Sequence, residues 1–158
     1  MTRSEQFTHL DASGAARMVD VAAKPVTARE ALASGRVTVS ERVVELLRGG
    51  ALPKGDALAV ARIAGIQGAK RTSELIPLCH PIGIAGVSVD LFVEDAAVVI
   101  RARVKTNDRT GVEMEALTAV AIAGLSLIDM VKAVDPAAVL GEIQVESKTG
   151  GTSGDWQR

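Results

Sequence analysis

The 158-residue sequence is poor in aromatic side chains, which make up 2% of it: Phe7, Phe92 and Trp156, with no tyrosine. Stacking a purine-like ligand in an aromatic cage, or binding single-stranded nucleic acid, requires aromatic faces that this chain scarcely has. A heterocyclic ligand would therefore be held by polar edges and aliphatic walls.

Cysteine and histidine are also scarce, with one cysteine, Cys79, and two histidines. A single cysteine excludes an intramolecular disulfide and suits a reducing compartment, so we expect a cytoplasmic protein. Neither histidine belongs to a spaced pair of ligands, so we expect no metal site made by the protein and no catalytic thiolate. Mg²⁺ on substrate phosphates remains possible, because this ion keeps several waters and needs few protein ligands.

The chain lacks a dominant charge, since 18 basic and 19 acidic residues give a net charge of -1. This balance predicts no nucleic-acid partner and no anionic membrane surface, so any anion site must be local. No uncharged apolar run reaches the roughly 20 residues that span a bilayer, and the N-terminus lacks the apolar core of a signal peptide. We therefore expect a soluble protein with no membrane partner.

The sequence does contain enough apolar residues, 47%, for one core. We expect a single domain over residues 1–158, with flexible arms at about 1–15 and 149–158, where the composition is looser.

Apolar periodicity and turn residues predict the elements of this domain. Residues 16–23 alternate enough to form a short strand, and Thr27 with Glu30 has the capping-box spacing of a helix that Gly35 would close. Further along, the patterns predict helices after Ser40 and Asp56, a rigid irregular connection at 75–83, a hairpin over 87–106, a helix from Thr110 to about Ala133 and a strand at 139–148. The order βαββαβ matches a ferredoxin-like α+β sandwich, with helices on one face of an antiparallel sheet.

The helix from Val112 to Val131 is apolar almost all round, which indicates burial on more than one side and hence contact between subunits. At 100° per residue, its polar residues fall within about one third of the circumference. They are Glu115, Thr118, Ser126, Asp129 and Lys132. A solvated face with an i,i+3 ion pair is the ordinary interpretation of such a stripe. Ile122 and Leu125 lie in the same stripe, which favours a partly desolvated cleft where a lysine can act as acid or base.

Other candidate groups carry weaker signals. Lys54 lies in a glycine-flanked turn before a helix N-terminus, a position that can bind phosphate, although a solvated turn lysine is more common. His80, between Pro77 and Pro81, is a hydrogen-bonding group or simply a satisfied loop histidine. The loops KTNDRTG and KTGGTSG combine glycines, hydroxyls and cations as anion-binding loops do, but such loops are common.

Several runs together resemble one family, the cyclic pyranopterin monophosphate synthases of molybdenum cofactor biosynthesis. The runs are THLDASGAARMVDV, KGDALAVARIAGIQGAKRTSELIPLCHP, TGVEMEALTAV, DMVKAV and KTGGTSGD, and they extend over nearly the whole chain. IPLCHP and GVEMEALTA are the most specific of them.

The resemblance implies a ferredoxin-like subunit in a hexamer, a trimer of dimers, with active sites between subunits. It implies a phosphorus-oxygen lyase that converts 3′,8-cyclo-7,8-dihydro-GTP to cyclic pyranopterin monophosphate and pyrophosphate, after a radical-SAM enzyme. Asp129, Lys132 and Lys54 would be catalytic. The substrate contacts would be Leu78, Cys79, His80, Glu113, Met114, Glu115, Arg29 and Lys148, with the 149–154 loop as a further phosphate contact.

Two other functions fit the same residues. One is a non-catalytic oligomeric module that binds a small molecule, since ferredoxin-like subunits also serve as ligand sensors. The other is a purely structural oligomer, in which the polar stripe would be a solvated face.

Overall fold

The computed structural model describes residues 9–52 and 54–158. Its elements in chain order are β1 (Thr27–Thr38), α1 (Glu41–Gly49), α2 (Ala57–Lys70), α3 (Thr72–Leu75), β2 (Ile84–Val93), β3 (Ala97–Asp108), α4 (Glu113–Val131), β4 (Val139–Thr149) and β5 (Trp156–Gln157). Residues 1–8, most of the first predicted arm, lie outside the described residues. The second arm contains β5, which pairs with the end of β4.

The strands form one sheet in the order β2-β3-β1-β4-β5, and every neighbouring pair is antiparallel. The first four strands thus have the order β4-β1-β3-β2 and follow the connectivity βαββαβ. The predicted α+β, ferredoxin-like sandwich is confirmed.

Two predictions for residues 16–35 are wrong. Residues 27–35 form the start of β1 rather than a helix, and residues 16–23 contain turns and one isolated bridge rather than a strand. In β1, Ala31, Ala33 and Val37 are buried at alternating positions, and the strand pairs with β3 on one side and β4 on the other. Backbone hydrogen bonding to a strand on each side outweighs the local helix-capping signal.

The helices cover one face of the sheet. Alternate residues of β3, from Val98 to Thr106, are buried, whereas the intervening Arg101, Arg103 and Lys105 are exposed. Helix α4 packs on β1, β3 and β4, and α2 packs beside it and on β2. The core therefore lies between the sheet and these two helices.

Helices α2 and α4 approach closely because α2 presents glycines to α4. A Cβ atom at Gly65 would lie 2.9 Å from the carbonyl oxygen of Ala119, and one at Gly68 would lie 2.8 Å from Cβ of Ile122. The absence of side chains at these two positions therefore allows α2 to pack closely on α4. By length and composition α4 could span a bilayer, but it is the central helix of the core, with 56% of its most apolar window buried.

The helix starts agree only partly with the sequence signals. Asp56 caps α2, accepting a hydrogen bond of 2.9 Å from the backbone N–H of Ala59. The helix predicted from Thr110 begins at Glu113 instead, because Val112 is the residue before α4 and makes no side-chain cap.

Candidate active site

Two connected cavities lie beside the N-terminal end of α4. We call the first, of about 200 Å³, the basic cavity, because four cationic side chains and two carboxylates line it. Its charged residues are Lys24, Arg29, Arg109, Lys148, Glu30 and Glu113. Hydroxyl groups and the backbone of the 149–153 loop complete it, so it is suited to a multiply charged anion.

The second, the central cavity, has a volume of about 450 Å³ and a mixed lining. The residues 78–80, the first turn of α4 and the segment before β1 form its walls; they include Val19, Val21, Leu78, Cys79, His80, Glu113, Met114 and Glu115. The two cavities share Lys24, Thr110, Gly111 and Glu113, so one extended ligand can occupy both.

The basic cavity is held in shape by hydrogen bonds from two of its cations. Arg29 donates from Nε to the carbonyl of Asp108 at 2.9 Å and from Nη2 to the carbonyl of Arg109 at 3.0 Å. Lys148 Nζ lies 3.0 Å from Glu113 Oε1 and donates to Ser153 Oγ at 3.0 Å. Strand β1, the loop before α4 and the end of β4 are therefore tied together around this cavity.

The 149–153 loop owes its close approach to glycine. Gly150 and Gly151 have positive φ angles of 84° and 79°. A side chain at Gly150 would meet the carbonyl oxygen of Ala28, and one at Gly151 would meet the Arg29 guanidinium. Only glycine permits this backbone both to turn and to lie against β1.

His80 connects the central cavity to the segment that precedes β1. Its ring Nε2 donates to the carbonyl oxygen of Val19 at 2.7 Å. The irregular residues 77–83, which the prolines keep out of helix and sheet, thus hold the preceding segment against the cavity. This fits the interpretation of His80 as a fixed hydrogen-bonding group.

Glu115 is the most deeply buried carboxyl group of the site, with 4% of its surface exposed. Burial, and to a lesser extent the negative charge of Glu113, raises the pKa of Glu115 to about 7. Burial also raises the pKa of the neighbouring Cys79 thiol, and the charge of Glu115 adds to this effect. A raised pKa favours the protonated thiol over the thiolate.

A second polar group lies at the opposite end of α4. Lys132 Nζ is 2.6 Å from Asp129 Oδ1, and Lys54 Nζ is 3.4 Å from Asp129 Oδ2 and 2.8 Å from the Asp129 carbonyl oxygen. The hydrogen bond and charge of Lys132, followed by those of Lys54, hold the pKa of Asp129 below its usual value. These side chains are 42% to 59% exposed in the isolated chain, so the predicted desolvation is not present within one subunit.

The structure therefore divides the candidate residues into two groups. Eight surround the two connected cavities, namely Arg29, Leu78, Cys79, His80, Glu113, Met114, Glu115 and Lys148. The group of Lys54, Asp129 and Lys132 lies about 24 Å further along α4, at 1.5 Å for each of the 16 residues from Glu113 to Asp129.

Comparison with known proteins identifies the family. The model of the MoaC family matches residues 18–151. A cyclic pyranopterin monophosphate synthase of Streptomyces avermitilis is 69% identical over 98% of this chain and 91% of its own length. One from Nocardioides sp. is 69% identical over 97% and 96%, and cyclic pyranopterin monophosphate synthase 2 of Mycobacterium tuberculosis is 54% identical over 99% and 93%.

The chain belongs to the MoaC family.

Two cations of the basic cavity, Lys24 and Arg109, were not predicted from the sequence. Lys24 precedes Pro25 in an irregular segment and carries no motif, so nothing in its neighbourhood marks it. Arg109 lies within KTNDRTG, whose anion-binding composition was noted without selecting the arginine. Both are brought to the cavity by long-range contacts, since Arg109 Nε donates to the Lys24 carbonyl at 3.1 Å.

Proposed function

We propose that the protein is a cyclic pyranopterin monophosphate synthase, which converts 3′,8-cyclo-7,8-dihydro-GTP to cyclic pyranopterin monophosphate and pyrophosphate in molybdenum cofactor biosynthesis. The observation that carries this proposal is the pair of connected cavities with different linings. A nucleotide has the same division, with a charged phosphate chain at one end and a polar ring at the other.

The basic cavity accounts for the phosphates. Its four cations exceed its two carboxylates, and the 149–153 loop adds the hydroxyl groups of Thr149, Thr152 and Ser153. Arg29 and Lys148 would contact the triphosphate directly. When the substrate phosphates bind, the Lys148 ammonium group can leave Glu113 and pair with a phosphate oxygen, because both partners of this ion pair line the cavity.

The central cavity accounts for the ring. Leu78 and Met114 provide aliphatic walls, and Glu113, Glu115 and His80 provide the polar edge. Such a lining substitutes for the aromatic stacking that the composition denies. The guanine-derived edge would donate hydrogen bonds to the carboxyl groups.

The group of Lys54, Asp129 and Lys132 would reach the substrate from a second subunit. Met114, Leu125, Asp129 and Lys132 fall within about 60° of one another around α4, at 100° per residue. Met114 is 37% exposed and Leu125 56%, which leaves an apolar strip between the two polar ends of the helix. Two copies that pack these strips antiparallel about a two-fold axis would bring the Asp129 end of each to the Glu113 end of the other.

This arrangement supports the dimer unit of the proposed hexamer, a trimer of dimers. In the shared site, Lys54 and Lys132 would move protons during ring opening and closure, and would stabilise the charge that develops as a ribose hydroxyl displaces pyrophosphate. Asp129 would hold the two lysines in place, since it contacts both.

The proposal extends to the source of the substrate, the cellular compartment and the metal ion. The substrate would come from a radical-SAM enzyme, the reaction would take place in the cytoplasm, and any Mg²⁺ would enter with the phosphates. No group of three possible metal ligands occurs among residues 9–52 and 54–158.

The test uses the purified protein with the cyclised nucleotide, measuring pterin and pyrophosphate. Lys132→Ala and Lys54→Ala should each reduce turnover by about 100-fold or more. Arg42→Ala is the matched control, because Arg42 also forms an exposed ion pair, with Glu45 on α1 at 2.9 Å, but lies away from the site. Near-normal turnover in both lysine variants would contradict the catalytic assignment, and binding without turnover by the unmodified protein would favour a ligand-binding module.

A further inference from the structure

A third, smaller cavity lies behind the central cavity. This rear cavity has a volume of about 90 Å³, and the residues that matter for its chemistry are Lys70, Thr72, Ser73, His80 and Glu115. His80 and Glu115 belong to both cavities. Glu115 therefore borders both the space proposed for the substrate ring and a second polar space.

The rear cavity is suited to water. A cavity needs about 10–15 Å³ of such space to hold one water molecule, and each water needs two to four polar partners, so this space can hold several water molecules. The Ser73 hydroxyl, the Lys70 ammonium group and the backbone around them supply such partners. Thr72 contributes less, because its hydroxyl already donates to the carbonyl of Ala69 at 2.9 Å.

Glu115 has no partner that would fix its charge. Within the described part of the chain it forms no ion pair, and its only hydrogen bond is to its own backbone. The titratable groups around it come from every neighbouring element: Glu113 on α4, Cys79 and His80 in the irregular connection, Lys70 on α2, and His9 and Lys24 before β1. A buried carboxyl group in such surroundings meets either water or ligand.

We propose that Glu115 is a proton donor to the substrate ring and that the rear cavity is its water-filled route to solvent. This rests on the proposed function. The Glu115 carboxyl gives its proton to a ring nitrogen as the carbon–nitrogen bond to that nitrogen breaks, and the electron pair of the bond stays on the nitrogen. The other nitrogen on the same carbon supplies its lone pair to form a carbon–nitrogen double bond. The Glu115 carboxylate then takes a proton back from water in the rear cavity, and solvent restores that proton.

The first test is the pH profile of kcat and kcat/KM with Glu115→Gln, which keeps the size and hydrogen-bonding capacity of the side chain but removes the proton. Since the protonated form is active, wild-type kcat/KM, which reports the ionisation of the free enzyme, should fall as the pH rises through about 7. The variant should lose about 100-fold in kcat near pH 6 and show no such fall, whereas a residue that only binds the ring would change KM.

The second test blocks the route and leaves Glu115 in place. Ser73→Leu fills the rear cavity, and Ser73→Ala is the matched control that removes the hydroxyl but keeps the space. We expect kcat of the leucine variant to fall about 10-fold or more relative to the alanine variant. The melting temperatures of both variants show whether the fold is retained.

The protonation state of Glu115 can be measured independently from the infrared C=O band of a protonated carboxyl group, in the protein without substrate. We expect this band at pH 6, its loss by pH 8.5, and its absence from Glu115→Gln. The inference is overturned if Glu115→Gln keeps the wild-type kcat and pH profile, if both Ser73 variants behave alike, or if the band is missing from the wild type. Failure of the wild type to make pterin would instead contradict the proposed function.

Discussion

At the scale of single residues, α4 carries two carboxyl groups whose environments act in opposite directions. Burial raises the pKa of Glu115, while Lys132 and Lys54 lower the pKa of Asp129. Near neutral pH Glu115 can therefore give a proton, whereas Asp129 stays charged and can orient lysines. Such a separation of pKa values is how sites with several carboxyl groups divide the roles of acid and electrostatic partner.

The raised pKa of Glu115 predicts a pH-dependent stability. Because the folded protein binds this proton up to about pH 7 and the unfolded chain releases it near 4.5, the free energy of unfolding should fall as the pH rises between these values. In Glu115→Gln that fall should be smaller. The unfolding free energy of the variant minus that of the wild type should therefore be about 1–3 kcal/mol higher at pH 8 than at pH 5. Urea unfolding at both pH values and one protein concentration measures this; equal pH dependence in the two proteins would contradict the assignment.

Asp129 should matter for activity and hardly for stability. Its ion pairs are exposed in the subunit, and exposed pairs contribute little to the folded state. Asp129→Asn should therefore leave the melting temperature almost unchanged while turnover falls about 100-fold, because Lys54 and Lys132 lose their common anchor. Thermal unfolding and pyrophosphate release measure the two effects, and Glu45→Gln on α1 is the control for loss of an exposed pair. A large loss of stability with full activity would show a structural role instead.

At the scale of elements, the sequence predicted those whose signals are local. Asp56 and the helical spacing of apolar residues mark α2, and the two prolines mark the irregular residues around His80. The start of strand β1 was predicted as a helix, because Thr27 and Glu30 give a local helix signal while the strand is stabilised by partners 59 or more residues away in the chain. The same long-range pairing brings Arg29 to the basic cavity, a position that local patterns cannot reveal.

The contact between α2 and α4 predicts an unusual response to alanine. Replacing a helical glycine by alanine normally stabilises a helix by about 1 kcal/mol. At Gly65 the new Cβ would lie 2.9 Å from a backbone carbonyl oxygen of α4, so the helices must move apart. We expect Gly65→Ala to lose about 1–2 kcal/mol of unfolding free energy, since overpacking outweighs helix propensity.

Gly49→Ala is the matched control for that variant. Gly49 is the last residue of α1, and a Cβ there would meet no atom within 4 Å. Chemical denaturation should show this variant to be at least as stable as wild type. The packing argument fails if Gly65→Ala is as stable as Gly49→Ala.

At the scale of the whole molecule, the candidate site is divided between the two ends of one helix. The sequence identified the residues of both groups, and the rise of the predicted helix already separates Asp129 from Glu113 by about 24 Å. Local patterns could not show that Arg29, His80 and Lys148 gather at the Glu113 end. Within one subunit these groups cannot act on the same ligand. Their separation is the physical reason for expecting that catalysis requires an oligomer.

Co-expression of two inactive variants tests this expectation. Lys132→Ala damages the group at the end of α4, and His80→Ala damages the central cavity of the same chain. If each site takes the two groups from different subunits, random mixing makes about one quarter of the sites intact. If both groups came from one subunit, no site would be intact, and the mixture would be no more active than its components. We therefore expect mixed oligomers, purified through two different tags, to recover about one quarter of wild-type pterin formation.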